Sequence, residues 1–544
     1  MHFAMRFLAV LAVTALAACS RVGESSSGGR HAWTHPGILR IGYLGDPDTL
    51  NPDVGNQQID TDLSMFWGGY LFNWSDENRF VPELATQEPT VANHGISADG
   101  RTITYHLRRG VKWHDGAPFG ADDVIWSWHA IMNPRNNAPS RVGFELISAI
   151  DKVDDATIVV HLRRAYAPFV ATFFTMSSTA FVVMPKHLLA KYPDINRVAY
   201  DSAPVGTGPF KFDGWQRGQK IRFVANDAYW RGKPKLREID YYTIPDQNTI
   251  LTQLRSHEID LTFNGSSTQV REFRAITGMK TILTPFTQYN QIALNLKTPA
   301  LADRNVRRAL MYATDRARII ETVTHGVGIA GDTDQPPFSE YASHDIMRYP
   351  FDPARARALL DAAGWKPAAD GIRRKAGARL TLTLVGPTGN APFNAMAVLL
   401  GQAWRAVGID TQIKSYTTGL FFATYGANGI LQTGKYDTAG YAWVNGTDPD
   451  NSTLWMCDQQ PPAGQNVYHY CNPDLDAAER VALSTTDPAK RKRAYFRVEQ
   501  ILAQDVPMIV AYYARRISVI NDDLKNYRPA HAVTHFWNTW EWEI

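Results

Sequence analysis

Cysteine, unbalanced charge and long apolar runs are scarce in this sequence of 544 residues. Lys and Arg number 56 against 53 Asp and Glu, which excludes the strongly basic surface typical of nucleic-acid-binding proteins. After residue 20, no apolar run reaches the ~20 residues that a membrane-spanning helix needs. The composition is that of a globular protein, with 44% hydrophobic and 20% charged residues. The length predicts about two to four domains.

Catalytic signatures are also missing. The sequence has no G-x-S-x-G, no H-E-x-x-H and no G-x-x-x-x-G-K-[ST] motif. His114 and Asp115 precede a glycine, and we interpret them as a turn that hydrogen-bonds itself. The 15 His residues show no pairing with acidic residues at metal-ligand spacing. We therefore expect no catalytic residue, no metal and no cofactor, and an exported hydrolase is the enzyme alternative.

The N-terminus is typical of an exported protein. A single cation, Arg6, precedes an apolar stretch at Phe7–Ala18, which is too short to span a bilayer. The stretch ends in L-A-A-C and resembles the bacterial lipobox, in which Cys19 receives the lipid. We predict a signal peptide at 1–18 and a lipidated, Gly/Ser-rich tether at 19–35. The alternative is an ordinary signal peptide with an incidental cysteine. Either way the protein is exported, and the lipid would hold it in the periplasm or at the cell surface.

The remaining two cysteines, Cys457 and Cys471, flank a segment that contains Pro and Gly. In an exported protein such a pair predicts a disulfide. Two free thiols or a metal site are the alternatives. A metal site is disfavoured because neither cysteine has a further Cys or a pair of His residues nearby.

Hydrophobic periodicity changes along the chain. Residues 102–109 and 157–163 alternate between apolar and polar, which predicts half-buried strands, and the segment between them has helical spacing. These patterns predict a smaller α+β domain over about 64–200. From about residue 300, helix and strand patterns alternate, which is typical of α/β organisation. Two of these helices are predicted to begin at Asp352 and Asp487, each followed by Pro.

Several blocks, in order, carry a family resemblance over nearly the whole mature chain. They include GYLFNWSDENRFVPELA, SADGRTITYHLRRGVKWHDGAPFGADDVIWS, PVGTGPFKFDGW, NDAYWRGKPKLREIDYYTIPDQNT, RNVRRALMYATDRARIIETVTHG, YPFDPARARALLDAAGW and a late DPDN. The sequence resembles the bacterial extracellular solute-binding proteins of the peptide/nickel type, family 5.

The resemblance implies an α/β fold, a two-lobed periplasmic-binding-protein clamshell (type II-like) with an additional α+β domain. It implies domain I at 36–63, 204–296 and 514–544, domain II at 64–203 and domain III at 297–513, with hinges near 296 and 514. Such proteins hand their ligand to an ABC permease and ATPase complex. We expect a monomer that contacts the membrane only through its N-terminal lipid.

The resemblance also implies a ligand site. By motif position it includes Tyr441, Trp443, Asn445 and Asp448, with Asn390 and Phe393 opposite or beside them. Peptide-binding relatives typically place an Asp for the peptide's α-amino group at the position of Asn445. Dipeptide-binding relatives place an Arg for the carboxylate at the position of Ala391. Both charges are missing here, which argues against a free dipeptide held by its termini in that manner.

The sequence therefore predicts a substrate-binding lipoprotein of an ABC importer that captures a peptide or similar small solute. A periplasmic chaperone or adhesin-like binder on the same fold is the alternative. The two differ in length dependence, since a transport receptor should select a ligand size and a chaperone should not.

Overall fold

The computed structural model describes residues 29–177, 181–531 and 535–544. The predicted signal peptide at 1–18, Cys19 and the tether as far as residue 28 lie outside the described residues. Within the described ranges, no helix is both long enough and apolar enough to cross a membrane.

The N-terminal part of the chain supplies one strand of a large sheet, a two-stranded sheet and a three-stranded sheet with flanking helices. Its strands are β1 (Ile38–Tyr43), β2 (Phe72–Trp74), β3 (Phe80–Pro82), β4 (Thr102–His106), β5 (Ile147–Asp154) and β6 (Thr157–Leu162). Its helices are α1 (Gln58–Trp67), α2 (Ala121–Met132), α3 (Phe169–Thr172) and α4 (Lys186–Leu189). The two predicted alternating segments form β4 and β6, which are adjacent in the order β4–β6–β5. We call this sheet, together with β2, β3 and the helices α2 and α3 that share its core, the three-stranded unit. Ile103, Tyr105, Ile158 and Val160 are buried, as their period-two spacing predicts.

The middle of the chain is mainly strand. It contains β7 (Phe210–Gln216), β8 (Lys220–Ala225), β9 (Glu238–Thr243), β10 (Leu261–Thr262) and β11 (Met279–Leu294), with helices α5 (Gln247–Arg255) and α6 (Val270–Arg274). The VGTGPF turn before β7 packs on the end of α1. A Cβ at Gly206 would overlap the carbonyl oxygen of Trp67, so the close approach requires glycine.

The C-terminal part alternates helix and strand. Its helices are α7 (Pro299–Ala302), α8 (Arg304–Ala313), α9 (Arg316–Thr324), α10 (Pro353–Ala362), α11 (Ala391–Arg405), α12 (Thr418–Phe421), α13 (Ser452–Trp455), α14 (Pro473–Ser484) and α15 (Pro488–Asp505). Its strands are β12 (Arg374–Lys375), β13 (Ala378–Arg379), β14 (Thr381–Pro387), β15 (Asp410–Tyr416), β16 (Thr438–Val444) and β17 (Met508–Asn521). The side chains of Asp352 and Asp487 cap α10 and α15, as predicted, by accepting from backbone N–H groups of the first turn.

A ten-stranded sheet in the order β15–β14–β16–β11–β17–β10–β1–β9–β8–β7 connects the two halves of the molecule. The long antiparallel strands β11 and β17 lie at its centre. We call lobe one the half that contains β10, β1, β9, β8 and β7. We call lobe two the half that contains β16, β14 and β15.

Each part has its own hydrophobic core. Lobe one is centred on Trp67, Phe223 and Trp542, the three-stranded unit on Tyr105, Trp113 and Phe173, and lobe two on Leu310, Leu384 and Trp404, with a second core around Trp455, Tyr468 and Tyr513. The three-stranded unit is attached to lobe one, since His114 N donates to Gly206 O at 2.8 Å and Val182 N to Asp53 Oδ1 at 2.9 Å.

Candidate functional site

In each lobe, a set of parallel strands ends at the side that faces the other lobe. In lobe one, β1 is parallel to β9 and β10; in lobe two, β14 is parallel to β15 and β16. Because β17 is antiparallel to both β10 and β11, these two strands run the same way, from lobe one towards lobe two. Strand β16 runs opposite to β11. The carboxyl ends of both parallel sets therefore face each other, and ligands of open α/β sheets bind at such ends.

The two crossing strands lose their regular pairing between the lobes. Pro285 pairs with Arg515, but the next pair is Tyr289 with Tyr513, so residues 286–288 stand opposite Ala514 alone. An interrupted ladder bends more readily than a regular one, and a few residues of this kind can act as a hinge. Trp443 of β16 is directly opposite Tyr289, so the strand that carries it adjoins the interruption.

A cavity of about 540 Å³, which we call the aromatic cavity, opens beside the carboxyl end of β16. Tyr441 and Trp443 of β16 form one side, and Phe422 and Tyr425, from the segment after β15, form another. Its other lining residues are Thr424, Gly426, Leu431, Gln432, Ala442, Pro462, Ala463, Gly464, Gln465 and Val467. The volume is within the range of ~300–1,000 Å³ that is usual for small-molecule sites.

Large apolar side chains are exposed around this cavity. Phe422 is 49% exposed, Tyr425 48% and the nearby Leu420 41%. On the facing edge of lobe one, Leu44 directly after β1 is 37% exposed. Clustered exposed apolar groups mark interaction surfaces in soluble proteins. The cleft edges are therefore suited to an apolar or aromatic ligand group.

One wall of the aromatic cavity is held by covalent and polar links. Cys457 and Cys471 form a disulfide across a separation of 14 residues, and wall residues 462–465 lie in the loop that it closes. Gln432 Nε2 donates to Gln465 Oε1 at 2.8 Å, which joins this loop to the opposite side. The disulfide thus shapes the cavity as well as stabilising the fold.

The Tyr441 hydroxyl is buried in a polar chain beneath the cavity. It donates to the Tyr468 hydroxyl at 3.4 Å, which in turn donates to Gln291 Oε1 at 2.8 Å. Burial raises the pKa of Tyr441 to about 12, so the phenol stays neutral near pH 7. Tyr441 can offer its ring and a neutral hydroxyl, but no charge.

A second cavity of about 600 Å³, the interlobe cavity, lies between the three-stranded unit and lobe two. Its lining includes Trp74, Phe80 and Tyr166 on one side and Tyr341, Thr447, Asp448 and Arg491 on the other. At its edge, Tyr166 Oη donates to Asp450 Oδ2 at 3.1 Å, and Ala167 N donates to Leu483 O at 2.7 Å. These two bonds connect the lobes directly.

The family comparison decides the class of this protein. A model described as bacterial extracellular solute-binding proteins, family 5 Middle, matches residues 79–465, which is more than half of the chain. The chain belongs to family 5 of the bacterial extracellular solute-binding proteins. The family is a solute-binding, non-enzymatic component of transporters that acts outside the cytoplasm.

Individual relatives agree with this assignment along nearly the full chain. The chain is 27% identical over 552 residues to the oligopeptide-binding protein AppA of Bacillus subtilis, covering 99% of this chain and 98% of AppA. It is 27% identical over 515 residues to the dipeptide-binding protein of Escherichia coli, covering 89% and 90%. The crystal structure of NikZ from Campylobacter jejuni in complex with Ni(L-His) matches with a TM-score of 0.77 and 25% identity, covering 94% of this chain and 100% of NikZ. The predicted two-lobed α/β clamshell is confirmed.

In this family 5 protein, Asn445 is buried beneath the cleft edge rather than lining either cavity. Its Nδ2 donates to the backbone oxygen of Asp334, and its Oδ1 accepts from Asn451 Nδ2 at 3.1 Å. The Asp334 carboxylate accepts from Asn451 Nδ2 at 2.7 Å and Trp455 Nε1 at 2.8 Å. Asn445 is therefore part of an internal network that shapes the segment after β16.

Asp448 lines the interlobe cavity, not the aromatic one. Its two carboxylate oxygens accept from Arg491 Nη1 at 2.8 Å and Nη2 at 2.7 Å, a bidentate pair. Burial raises the pKa of the nearby Asp450, and the Asp448 charge raises that pKa further.

Asn390 and Phe393 lie around the start of α11 and line neither cavity. Asn390 caps the helix, because its side chain accepts from Phe393 N at 2.9 Å. The ring of Phe393 is buried and occupies a slot between two strand glycines, Gly386 and Gly440. Of the six predicted contacts, the structure brings Tyr441 and Trp443 together in the aromatic cavity.

Sequence reasoning missed Phe422, Tyr425 and the amide pair of Gln432 and Gln465. The available signal was the aromatic run FFATY inside a stretch rich in Gly and Thr. The sequence also has a G-x-G-x-x-G spacing at 326–331, which follows helix α9 instead of joining a strand to a helix. It therefore lacks the context of a dinucleotide site. Among the residues that the structure describes, no group of three or more His, Cys, Asp or Glu side chains is placed to hold a metal ion.

Proposed function

We propose that this protein is the substrate-binding lipoprotein of an ABC importer. It captures a peptide or similar small solute between its lobes and delivers it to the permease. The observation that carries the proposal is the aromatic cavity, which lies at the carboxyl end of β16 and beside the interruption in the crossing strands. Relatives named for oligopeptide and dipeptide binding support a peptide as the ligand.

Capture follows from the facing strand ends. A solute that enters the aromatic cavity contacts lobe two first, through Trp443 and the exposed rings of Phe422 and Tyr425. The edge of lobe one, including Leu44, faces this cavity across the cleft, and movement at the interrupted strands would open and close access to the solute. The solute stabilises the closed form only through contacts that the open form lacks. Affinity and closure are therefore coupled.

Calorimetric titration with mixed peptides of defined length tests the proposal. We expect saturable binding within a limited range of lengths, whereas a chaperone-like binder would accept all lengths. Trp443→Ala should weaken binding by about tenfold or more without unfolding the protein, because tryptophan is among the residues that dominate interface energies. Phe351→Ala is the matched control, since that ring is 50% exposed and lines neither cavity. No binding of any peptide, or equal binding by the Trp443 variant, would contradict the proposal.

Lipid anchoring through Cys19 is a separate part of the proposal, supported by the L-A-A-C sequence. Metabolic labelling with a clickable fatty acid should mark the mature protein and keep it in the membrane fraction. Cys19→Ala should lose the label and become soluble. An unlabelled, soluble wild-type protein would show that the N-terminus is an ordinary signal peptide.

The domain division is proposed together with the function. Domain I comprises 36–63, 204–296 and 514–544, domain II comprises 64–203, and domain III comprises 297–513. We propose a monomer that meets its permease and ATPase only transiently. Light scattering after size exclusion should give the mass of one chain.

A further inference from the structure

The aromatic cavity presents no charged side chain. Its described lining residues are aromatic, aliphatic, small or amide-bearing. The only side-chain amides are Gln432 and Gln465, which are bonded to each other at 2.8 Å. An ion enclosed in such a site would lose hydration without gaining an opposite charge, which is strongly unfavourable.

The polar side chains beneath the end of β16 are not available to a solute. Asn445 is 3% exposed, and both ends of its amide are bonded. Asp334 beneath it is 1% exposed and accepts from Asn451 and Trp455. An ammonium group in the cleft could therefore reach neither residue.

The carboxylate of Asp450, which follows β16, is already engaged, since Oδ2 accepts from Tyr166 Oη at 3.1 Å and Oδ1 accepts from Ser452 N at 2.9 Å. Asp448 is paired through both oxygens with Arg491, which also donates to Ala482 O at 3.1 Å. At the start of α11, Ala391 offers no cation, and the preceding Asn390 is committed to capping the helix. The carboxyl ends of β14 and β16 thus supply neither an anion for an α-amino group nor a cation for a carboxylate.

We infer that the part of the solute held in the aromatic cavity is uncharged. A peptide is held there through an apolar or aromatic side chain and through hydrogen bonds between its neutral amide groups and the side chains of Gln432 and Gln465. Its charged termini lie elsewhere or are absent. The inference rests on the proposed function and names its substrate class: hydrophobic peptides, including blocked ones, and comparable neutral amides.

Affinity selection with paired peptides tests this directly. Random peptides of three to six residues are offered in free form and in a doubly blocked form, N-acetylated and C-amidated. Mass spectrometry then measures the retained ratio for each sequence. We expect the blocked form to be retained within about threefold of the free form, since no charge-assisted bond is lost. We also expect retained sequences to be rich in Phe, Leu, Tyr and Trp. Replacing the apolar or aromatic residue that occupies the aromatic cavity by Lys should lower retention of the peptide by about 30-fold or more.

A charge placed in the cavity supplies the second readout. Gln432→Glu should restore retention of the Lys-substituted peptide by about tenfold, because it provides the missing counter-charge. Gln219→Glu is the matched control, as it adds the same charge at an exposed position outside both cavities.

Each outcome separates the two claims. Enrichment of the free form by about tenfold or more would mean that a charged terminus is anchored, overturning the inference while leaving peptide capture intact. Equal behaviour of Gln432→Glu and Gln219→Glu would also overturn it. Retention of no peptide in either form would overturn the proposed function and the inference with it.

Discussion

Removing the hydroxyl of Tyr166 should weaken solute binding without unfolding the protein. Tyr166 Oη donates to Asp450 Oδ2 at 3.1 Å, and this bond joins the three-stranded unit to lobe two. A hydrogen bond to a charged acceptor contributes about 1.5–3 kcal/mol. The lower end of this range applies, because 3.1 Å is long for a bond donated by an O–H group. When the lobes separate, water replaces the bond. Tyr166→Phe should therefore destabilise the closed form and leave the free energy of the open form unchanged.

A loss of about 1.5 kcal/mol corresponds to a roughly tenfold lower affinity for a solute that requires the closed form. Calorimetry at pH 7 with the best peptide ligand measures it, and a melting curve checks that the variant is folded. Tyr192→Phe is the control, because that ring is 38% exposed and lines neither cavity. Affinity of Tyr166→Phe within twofold of the control would refute the idea that this contact stabilises the closed form.

Three further predictions concern stability. Replacing both Cys457 and Cys471 by Ser opens a loop of separation 14 and should lower the free energy of unfolding in urea by about 3 kcal/mol; an unchanged midpoint would contradict this. Gly386→Ala should cost about 1–3 kcal/mol by the same assay, since the new methyl group would overlap the ring of Phe393. Burial raises the pKa of Glu499 to about 8 in the folded state. Between the ordinary pKa of a glutamate and pH 8, the folded state therefore holds a proton that the unfolded state has lost. The free energy of unfolding should rise as pH falls from 8 towards 5. Glu499→Gln should raise the melting temperature at pH 8 and flatten that pH dependence, and an unchanged slope would argue against the assignment.

Local features of the fold could be predicted from the sequence because they depend on short-range chemistry. The alternation around Tyr105 predicts β4, and an Asp followed by Pro at 352–353 predicts the start of α10. The clamshell is implied by the resemblance to family 5, which runs in order over nearly the whole mature chain. The interruption at 285–289 could not be predicted, because it depends on the register of two strands that lie far apart in the chain.

The candidate site was harder to predict, because burial and exposure are tertiary properties. Motif position indicated Trp443, which lines the aromatic cavity, and equally Phe393, whose ring instead fills a slot between two strands. Nothing local distinguishes these two aromatics. Phe422 and Tyr425 could not be predicted as site residues, because the sequence does not show that their side chains are exposed and not packed in a core. The sequence shows that residue 445 is an uncharged Asn. It does not show that both ends of the Asn445 amide are hydrogen-bonded inside the protein.

Small-angle X-ray scattering of the full protein, with and without a saturating hydrophobic peptide, tests capture between the lobes most directly. The account predicts a smaller radius of gyration that follows the same saturation curve as calorimetric binding. An unchanged radius of gyration at full occupancy would contradict it, because the solute would then be bound without closure of the lobes.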